Sequence, residues 1–265
     1  MLKLQSAVDP MTHVTLVTES FNVEEGQPVE TLSETIGWLK TKVALRDDIE
    51  VIVVIAGHDA GMVQRLLHDA GCLDGELAQR FRCLHLPGAR YDAAKHAAAV
   101  AARGDIVVYL DGDCVPEAGD WLERLIEPIE RGHAEFVAGF TRYPPGFLRD
   151  ICSLLDFGFL CDRSLGCYAS NNVAFERAAL SRVPLRTDIL RSNCYAHAQD
   201  LLRQGQRLAH AAEAACRHDL PPVFKERFRR GYDLAAACRA NPCPRPRSAM
   251  TSASSGLFSR SSRAA

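Results

Sequence analysis

Two aspartates separated by one glycine, Asp111-Gly112-Asp113, close a run of five apolar or aromatic residues within segment 106–116, IVVYLDGDCVP. A run of this kind reads as a buried central strand. Its end delivers both acids to the carboxyl edge of a sheet, where open α/β folds bind ligands. Carboxylates this close repel each other unless a positive charge lies between them, and a hard divalent cation meets that need. The first expectation is therefore a cation site at a sheet edge.

Holding such a pair takes a sheet, and the preceding sequence supplies one. Segments 14–18 (VTLVT), 49–55 (IEVIVVI) and 81–87 are short runs rich in β-branched or apolar residues. Between them, 28–45 carries Val29, Leu32, Ile36, Leu39 and Val43 at helical spacing. Asp59 is placed to cap a helix running to about residue 69, which Gly71 stops, and 92–103 is an alanine-rich helix with an aspartate cap and Gly104 at its end. Four strand–helix repeats with nearly continuous apolar strands predict an α/β fold, a parallel sheet with helices on both faces and right-handed crossovers.

Beyond the acids, 120–131 is an amphipathic helix with Trp121, Leu122, Leu125, Ile126 and Ile129 on one face, and 135–143 a strand. Segment 147–161 is strongly apolar and reads as a buried helix, with a membrane-surface helix as the alternative. A polar turn at 166–175 enters a strand, 194–204 is a helix closed by Gly205, 207–216 a strand, and 223–240 a basic amphipathic helix. From residue 241 the chain is rich in Ser, Pro and Arg without an acid, the composition of a disordered tail.

The chain has 265 residues, 47% hydrophobic and 24% charged, with a net charge of −2. That is globular composition with no overall field favouring nucleic acid. No apolar window approaches the roughly 18 residues of a membrane span, and the polar N-terminus does not resemble a signal peptide. The ten cysteines are scattered without a CxxC pair, several of them (Cys83, Cys152, Cys161) in apolar runs. They read as buried, reduced thiols of a cytoplasmic protein, with a zinc site or disulfide framework as the alternative.

Segment 88–116, GARYDAAKHAAAVAARGDIVVYLDGDCVP, resembles the stretch of glycine, small-residue helix, Gly-Asp, apolar strand, DxD and Pro found in family 2 glycosyltransferases of the GT-A fold. Asn171-Asn172-Val173-Ala174-Phe175-Glu176-Arg177 is similar to that family's acceptor-side segment, and His218 before Pro221-Pro222 to its C-terminal histidine. The resemblance covers roughly 14–232. It implies a Rossmann-like, mostly parallel sheet with a small acceptor-side subregion. A domain over 13–240, with a nucleotide-binding half (13–116) and an acceptor-binding half (117–240), would lie between a flexible N-terminus (1–12) and a disordered basic tail (241–265).

The implied activity is transfer of a sugar, with inversion, from a nucleotide-diphosphate sugar (a UDP-sugar foremost) to a hydroxyl of a glycan or lipid-linked acceptor. A divalent cation, Mn²⁺ or Mg²⁺, held by Asp113 with His218, would bind the pyrophosphate and stabilise the leaving group. Asp111 would face the ribose hydroxyls or share the metal. Lys95 would reach the nucleotide or else be a solvated helix residue, while Glu19 and Asp59 would bond ribose or base. Asn171 and Asn172 would lie towards the acceptor. Inverting transfer needs a carboxylate to deprotonate that hydroxyl. The family's Glu-Asp pair, counted back from Gly205, falls here on Asn193 and Cys194. Asp188 is then the tentative base, with His197 as another possibility. A base-less binding or scaffold protein is the alternative class. A sugar nucleotidyltransferase is disfavoured, because strand one is followed by the acidic ESFNVEEGQP rather than a glycine-rich basic loop. Peripheral contact with the inner face of a membrane, through 147–161 and Lys225, Arg227, Arg229 and Arg230, is a further expectation.

Overall fold

The computed structural model describes residues 13–20, 29–56, 60–143, 166–186 and 193–218. Asp59 and Asp188, the termini 1–12 and 241–265, and the segments 147–161 and 223–240 lie outside the described residues. The first half alternates as expected: β1 (Val14–Glu19), α1 (Val29–Leu45), β2 (Ile49–Ile55), α2 (Ala60–Asp69), β3 (Phe81–His85), α3 (Tyr91–Ala101) and β4 (Ile106–Leu110). A three-residue strand, β5 (Cys114–Pro116), follows the two aspartates directly. Next come α4 (Trp121–Glu130), β6 (Phe136–Arg142), β7 (Asn172–Glu176), α5 (Arg177–Arg182), α6 (Asn193–Arg203) and β8 (Leu208–His218).

These strands form one eight-stranded sheet in the order β3-β2-β1-β4-β7-β6-β8-β5. The four strands of the first half are mutually parallel. β7 enters antiparallel to β4 and β6, β8 runs parallel to β6, and β5 closes the edge antiparallel to β8. The sheet is therefore mixed and mostly parallel. Alternate side chains of β1, β2 and β4 feed two apolar layers. Leu16, Val53 and Val108 pack with α1, α2 and α4, whereas Val17, Val54 and Tyr109 pack with α3, α5 and α6. Helices thus cover both faces, which is why the central strands read as nearly continuous apolar runs.

Two expectations change. Cys83 is exposed, because β3 is an edge strand, and it is not a buried thiol. Asp92 does not cap α3: the cap position is Arg90 and no side chain caps it, which leaves the Asp92 carboxylate for another partner.

Asn172, expected towards the acceptor, instead belongs to the core. The β6–β8 ladder slips between Gly139 and Phe140, so that Gly139 faces Ala211 and Phe140 faces Ala215. Asn172 spans this bulge. Its amide nitrogen donates to the carbonyls of Phe140 and Ala214, each at 2.9 Å, and its oxygen accepts from the Trp121 indole at 3.2 Å. A side chain at Gly139 would meet that amide at 2.5 Å, so glycine makes the room. With every polar atom of the amide used and no exposure, Asn172 cannot reach an acceptor. Asn172→Ala strands three buried polar groups, each costing about 1–3 kcal/mol when left unpaired. We expect a destabilisation of about 3 kcal/mol in urea denaturation; a loss below 0.5 kcal/mol would contradict the clamp.

Candidate functional site

Asp111, Gly112 and Asp113 form the turn between β4 and β5 at the carboxyl edge of the parallel strands. The turn lies hard against the end of β1, where a Cβ on Gly112 would overlap the Glu19 carbonyl oxygen. Only glycine allows two acids to flank so close an approach. Glu19, Asp111 and Asp113 are all buried, with exposures of 0%, 7% and 2%. Each needs compensation, because a buried carboxylate without a partner costs several kcal/mol.

The two aspartates are compensated differently. Asp111 receives Lys95 Nζ on Oδ1 and the Tyr91 hydroxyl at 2.9 and 2.8 Å on its two oxygens. Lys95 is 1% exposed and also donates to the Ser170 carbonyl (2.6 Å) and to the Tyr91 hydroxyl (2.5 Å). It is neither a solvated helix residue nor a group extended towards a nucleotide; it is the buried counter-charge of Asp111. Tyr91 and Lys95 are one turn apart on α3, so one helix face holds the first aspartate. Burial, with the charges of Asp111 and Glu19, pushes the Tyr91 phenol well above its usual range and keeps it a donor.

Asp113 meets His218 instead. Antiparallel pairing of β5 with β8 sets Cys114 opposite His218, and the imidazole Nε2 lies 2.9 Å from Asp113 Oδ2. Behind it, Asn171 Nδ2 lies 3.2 Å from His218 Nδ1, and Thr141 donates to Asn171 Oδ1 at 3.1 Å. Asn171 therefore supports the histidine. Sequence reading missed two members of this region. Tyr91 lies four residues before Lys95, a spacing that could have flagged it. Cys114 gave no signal beyond its place next to Asp113.

Asp113, Cys114 and His218 bring their ligand atoms within 4.8 Å of one another, a grouping that can hold a metal ion. Cys114 is fully buried, and burial with the neighbouring Cys216 and aspartates raises its thiol well above the ordinary range. The Asp113 carboxylate and the His218 imidazole, 2.9 Å apart, are the harder donors of the group, and that pair fits a hard ion tolerant of one nitrogen, such as Mn²⁺.

His197 is excluded as a base and as a surface histidine. It is fully buried, with Nδ1 bonded to the Tyr168 hydroxyl and Nε2 to the Val183 carbonyl, both at 2.7 Å. The start of α6 presents Asn193 and Cys194, with Asn193 Nδ2 donating to the Arg186 carbonyl.

Comparison with known proteins places the chain. A profile of the family described as Glycosyl transferase family 2 matches residues 24–165. The fold is similar to that of the mannosyltransferase PcManGT from Pyrobaculum calidifontis in complex with GDP-Man and Mn²⁺: TM-score 0.67, 20% identity, 89% of this chain and 67% of that one. It is also similar to glucosyl-3-phosphoglycerate synthase from Mycobacterium tuberculosis in complex with Mn²⁺, uridine-diphosphate and phosphoglyceric acid: TM-score 0.59, 19% identity, 89% and 80% covered. No curated protein matches the chain. Among the described residues, no helix is long and apolar enough to cross a membrane.

Two outcomes test the site. Lys95→Met leaves Asp111 buried without its counter-charge and should cost about 3–5 kcal/mol in denaturant unfolding. The double variant with Asp111→Asn should recover part of that loss, and strict additivity would refute the pairing. Burial lowers the His197 pKa from 6.5. As pH falls below 6.5 the unfolded chain therefore takes up a proton that the folded one refuses, and stability falls by at most about 1.4 kcal/mol per pH unit. His197→Gln should flatten the stability slope between about pH 7 and 5; an unchanged slope would be the contrary result.

Proposed function

The chain belongs to glycosyl transferase family 2, and from this premise we propose that it transfers a hexosyl group, with inversion, from a nucleotide-diphosphate sugar to an acceptor hydroxyl. The observation that carries the reading is the buried Asp113–His218 pair at the carboxyl edge of the sheet. Asp113 and His218 would hold a divalent cation, Mn²⁺ or Mg²⁺. When bound, the ion supplies positive charge for the pyrophosphate and for the charge developing on the leaving phosphate. Asn171 keeps the imidazole oriented through Nδ1, a role that commonly tunes metal affinity by about 10–100-fold. Asp111, fixed by Tyr91 and Lys95, presents a carboxylate of set position at the same edge, suited to ribose hydroxyls. Glu19, at the end of β1, completes the nucleotide side.

PcManGT is described with GDP-Man and the Mycobacterium tuberculosis synthase with uridine-diphosphate, so both nucleotides belong in a first donor panel. We favour a UDP-sugar donor and a glycan or lipid-linked acceptor. A second reading, a nucleotide-sugar binding protein without turnover, draws on Asn193 and Cys194, neither of which offers a carboxylate at the start of α6.

Binding of UDP and GDP should be followed by calorimetry with and without Mn²⁺, alongside nucleotide release from UDP-glucose and GDP-mannose. We expect metal-dependent binding and release. Asp113→Asn should weaken metal-dependent nucleotide binding at least about tenfold. Binding that ignores the metal would overturn the metal-site reading, and binding without release would favour the second reading.

A further inference from the structure

The sheet edge offers a third donor besides Asp113 and His218. Cys114 opens β5 and stands directly opposite His218 in the antiparallel pairing with β8. Residues so paired leave the same face of a sheet as nearest cross-strand neighbours. Cys114 Sγ lies 3.8 Å from Asp113 Oδ1, while His218 Nε2 lies 2.9 Å from Asp113 Oδ2. Sulfur and imidazole therefore flank the two oxygens of one carboxylate, and the three donor atoms lie within 4.8 Å of one another.

A buried cysteine usually serves as a small apolar side chain. The surroundings of Cys114 are those of a ligand instead. Around zinc, nitrogen and oxygen donors sit at about 2.0 Å and sulfur at about 2.3 Å, so donors of one tetrahedron stand roughly 3.3–3.5 Å apart. The separations at Asp113, 2.9 Å to the imidazole and 3.8 Å to the sulfur, lie on either side of that range. Small side-chain rotations bring all three donors onto one ion. Three protein ligands leave a fourth position for water or a phosphate oxygen.

We propose that Cys114 is a third ligand of the cation site, engaged by thiophilic ions such as Zn²⁺ or Co²⁺ and not by Mn²⁺ or Mg²⁺. The proposal deepens the metal-site part of the transferase reading and rests on it. Hard ions take oxygen donors and tolerate one imidazole, whereas a thiolate adds most to the binding of softer ions. On ligation the thiol proton passes to water as the sulfur–metal bond forms, because a divalent cation deprotonates a coordinating thiol outright. The site thereby discriminates between ions. Mn²⁺ rests on two protein donors and Zn²⁺ on three, so Zn²⁺ displaces Mn²⁺ from the edge assigned to the pyrophosphate.

The test measures binding of Co²⁺, Zn²⁺ and Mn²⁺ to the full-length, reduced chain without nucleotide, so that it does not depend on turnover. Co²⁺ should raise a near-ultraviolet sulfur-to-cobalt charge-transfer band that Zn²⁺ abolishes by displacement. In Cys114→Ser the band should vanish, and the ratio of Zn²⁺ to Mn²⁺ affinity should fall at least about tenfold. Cys216→Ser removes the neighbouring sulfur, which contacts Thr141 Oγ1 at 3.7 Å, and should keep both band and ratio. A band that persists in Cys114→Ser, a band lost in Cys216→Ser, or a ratio that moves less than about threefold in Cys114→Ser overturns the proposal. If Cys114→Ser does not fold, Asp113→Ala and His218→Ala decide: loss of the band in both supports a shared site, and its survival in either overturns it. Mn²⁺ binding by the wild type without any charge-transfer band removes Cys114 alone. Binding of none of the three ions overturns the metal-site reading and this proposal with it.

Discussion

Two carboxylates one residue apart cannot share a buried sheet edge unless each has its own positive or hydrogen-bonding partner. Burying an ion costs several kcal/mol, and like charges at this spacing add to it. The fold answers by dividing the pair. Asp111 turns to α3 and is held by a lysine and a tyrosine from one helical face. Asp113 turns to the far edge of the sheet and meets His218 on the last described strand. The first aspartate is thereby built into the protein, and the second keeps the partner that can share a cation.

The rest of the second half serves this division. A strand of three residues, β5, begins as soon as the acids end, and its pairing with β8 fixes which residue stands opposite Cys114. β8 would not hold that register if its bulge against β6 were loose, and Asn172 ties the bulge to β6 and to α4. The neighbouring Asn171 bonds the His218 imidazole. Adjacent residues entering a strand point to opposite faces, so two asparagines in succession take up unrelated tasks, one in the core and one behind the site.

The same geometry makes the first turn of α3 important. Asp92 stands next to Tyr91, so the turn of α3 that fixes Asp111 also carries a partly exposed carboxylate. Asp92 looked like a helix cap in sequence because an aspartate before an alanine-rich run usually is one. The helix begins two residues earlier than that reading required, with Arg90 at the cap position, and the carboxylate is released from the local role.

The α/β class, the order of the first four strands and helices and the sheet-edge acids were legible in the amino-acid sequence. These features rest on local periodicity and on a strand end that is visible as a change from apolar to acidic residues. Ile49–Ile55 agrees with its sequence boundaries because a strand covered on both faces is almost wholly apolar, broken here only by the buried Glu50. What the acids touch was another matter. The partners of Asp113 and of Asn172 lie 105 and up to 51 residues away, and those of Lys95 include Ser170, 75 residues on. Such pairings depend on strand register and helix docking, which no local pattern encodes. So the sequence by itself determined that two carboxylates end a central strand. Only the tertiary structure decided that a buried lysine neutralises one, that a histidine shares the other, and that His197 is enclosed by Tyr168 and Val183 rather than free to act, because charge compensation in a low-dielectric interior is settled by which side chains the packing brings within hydrogen-bond distance.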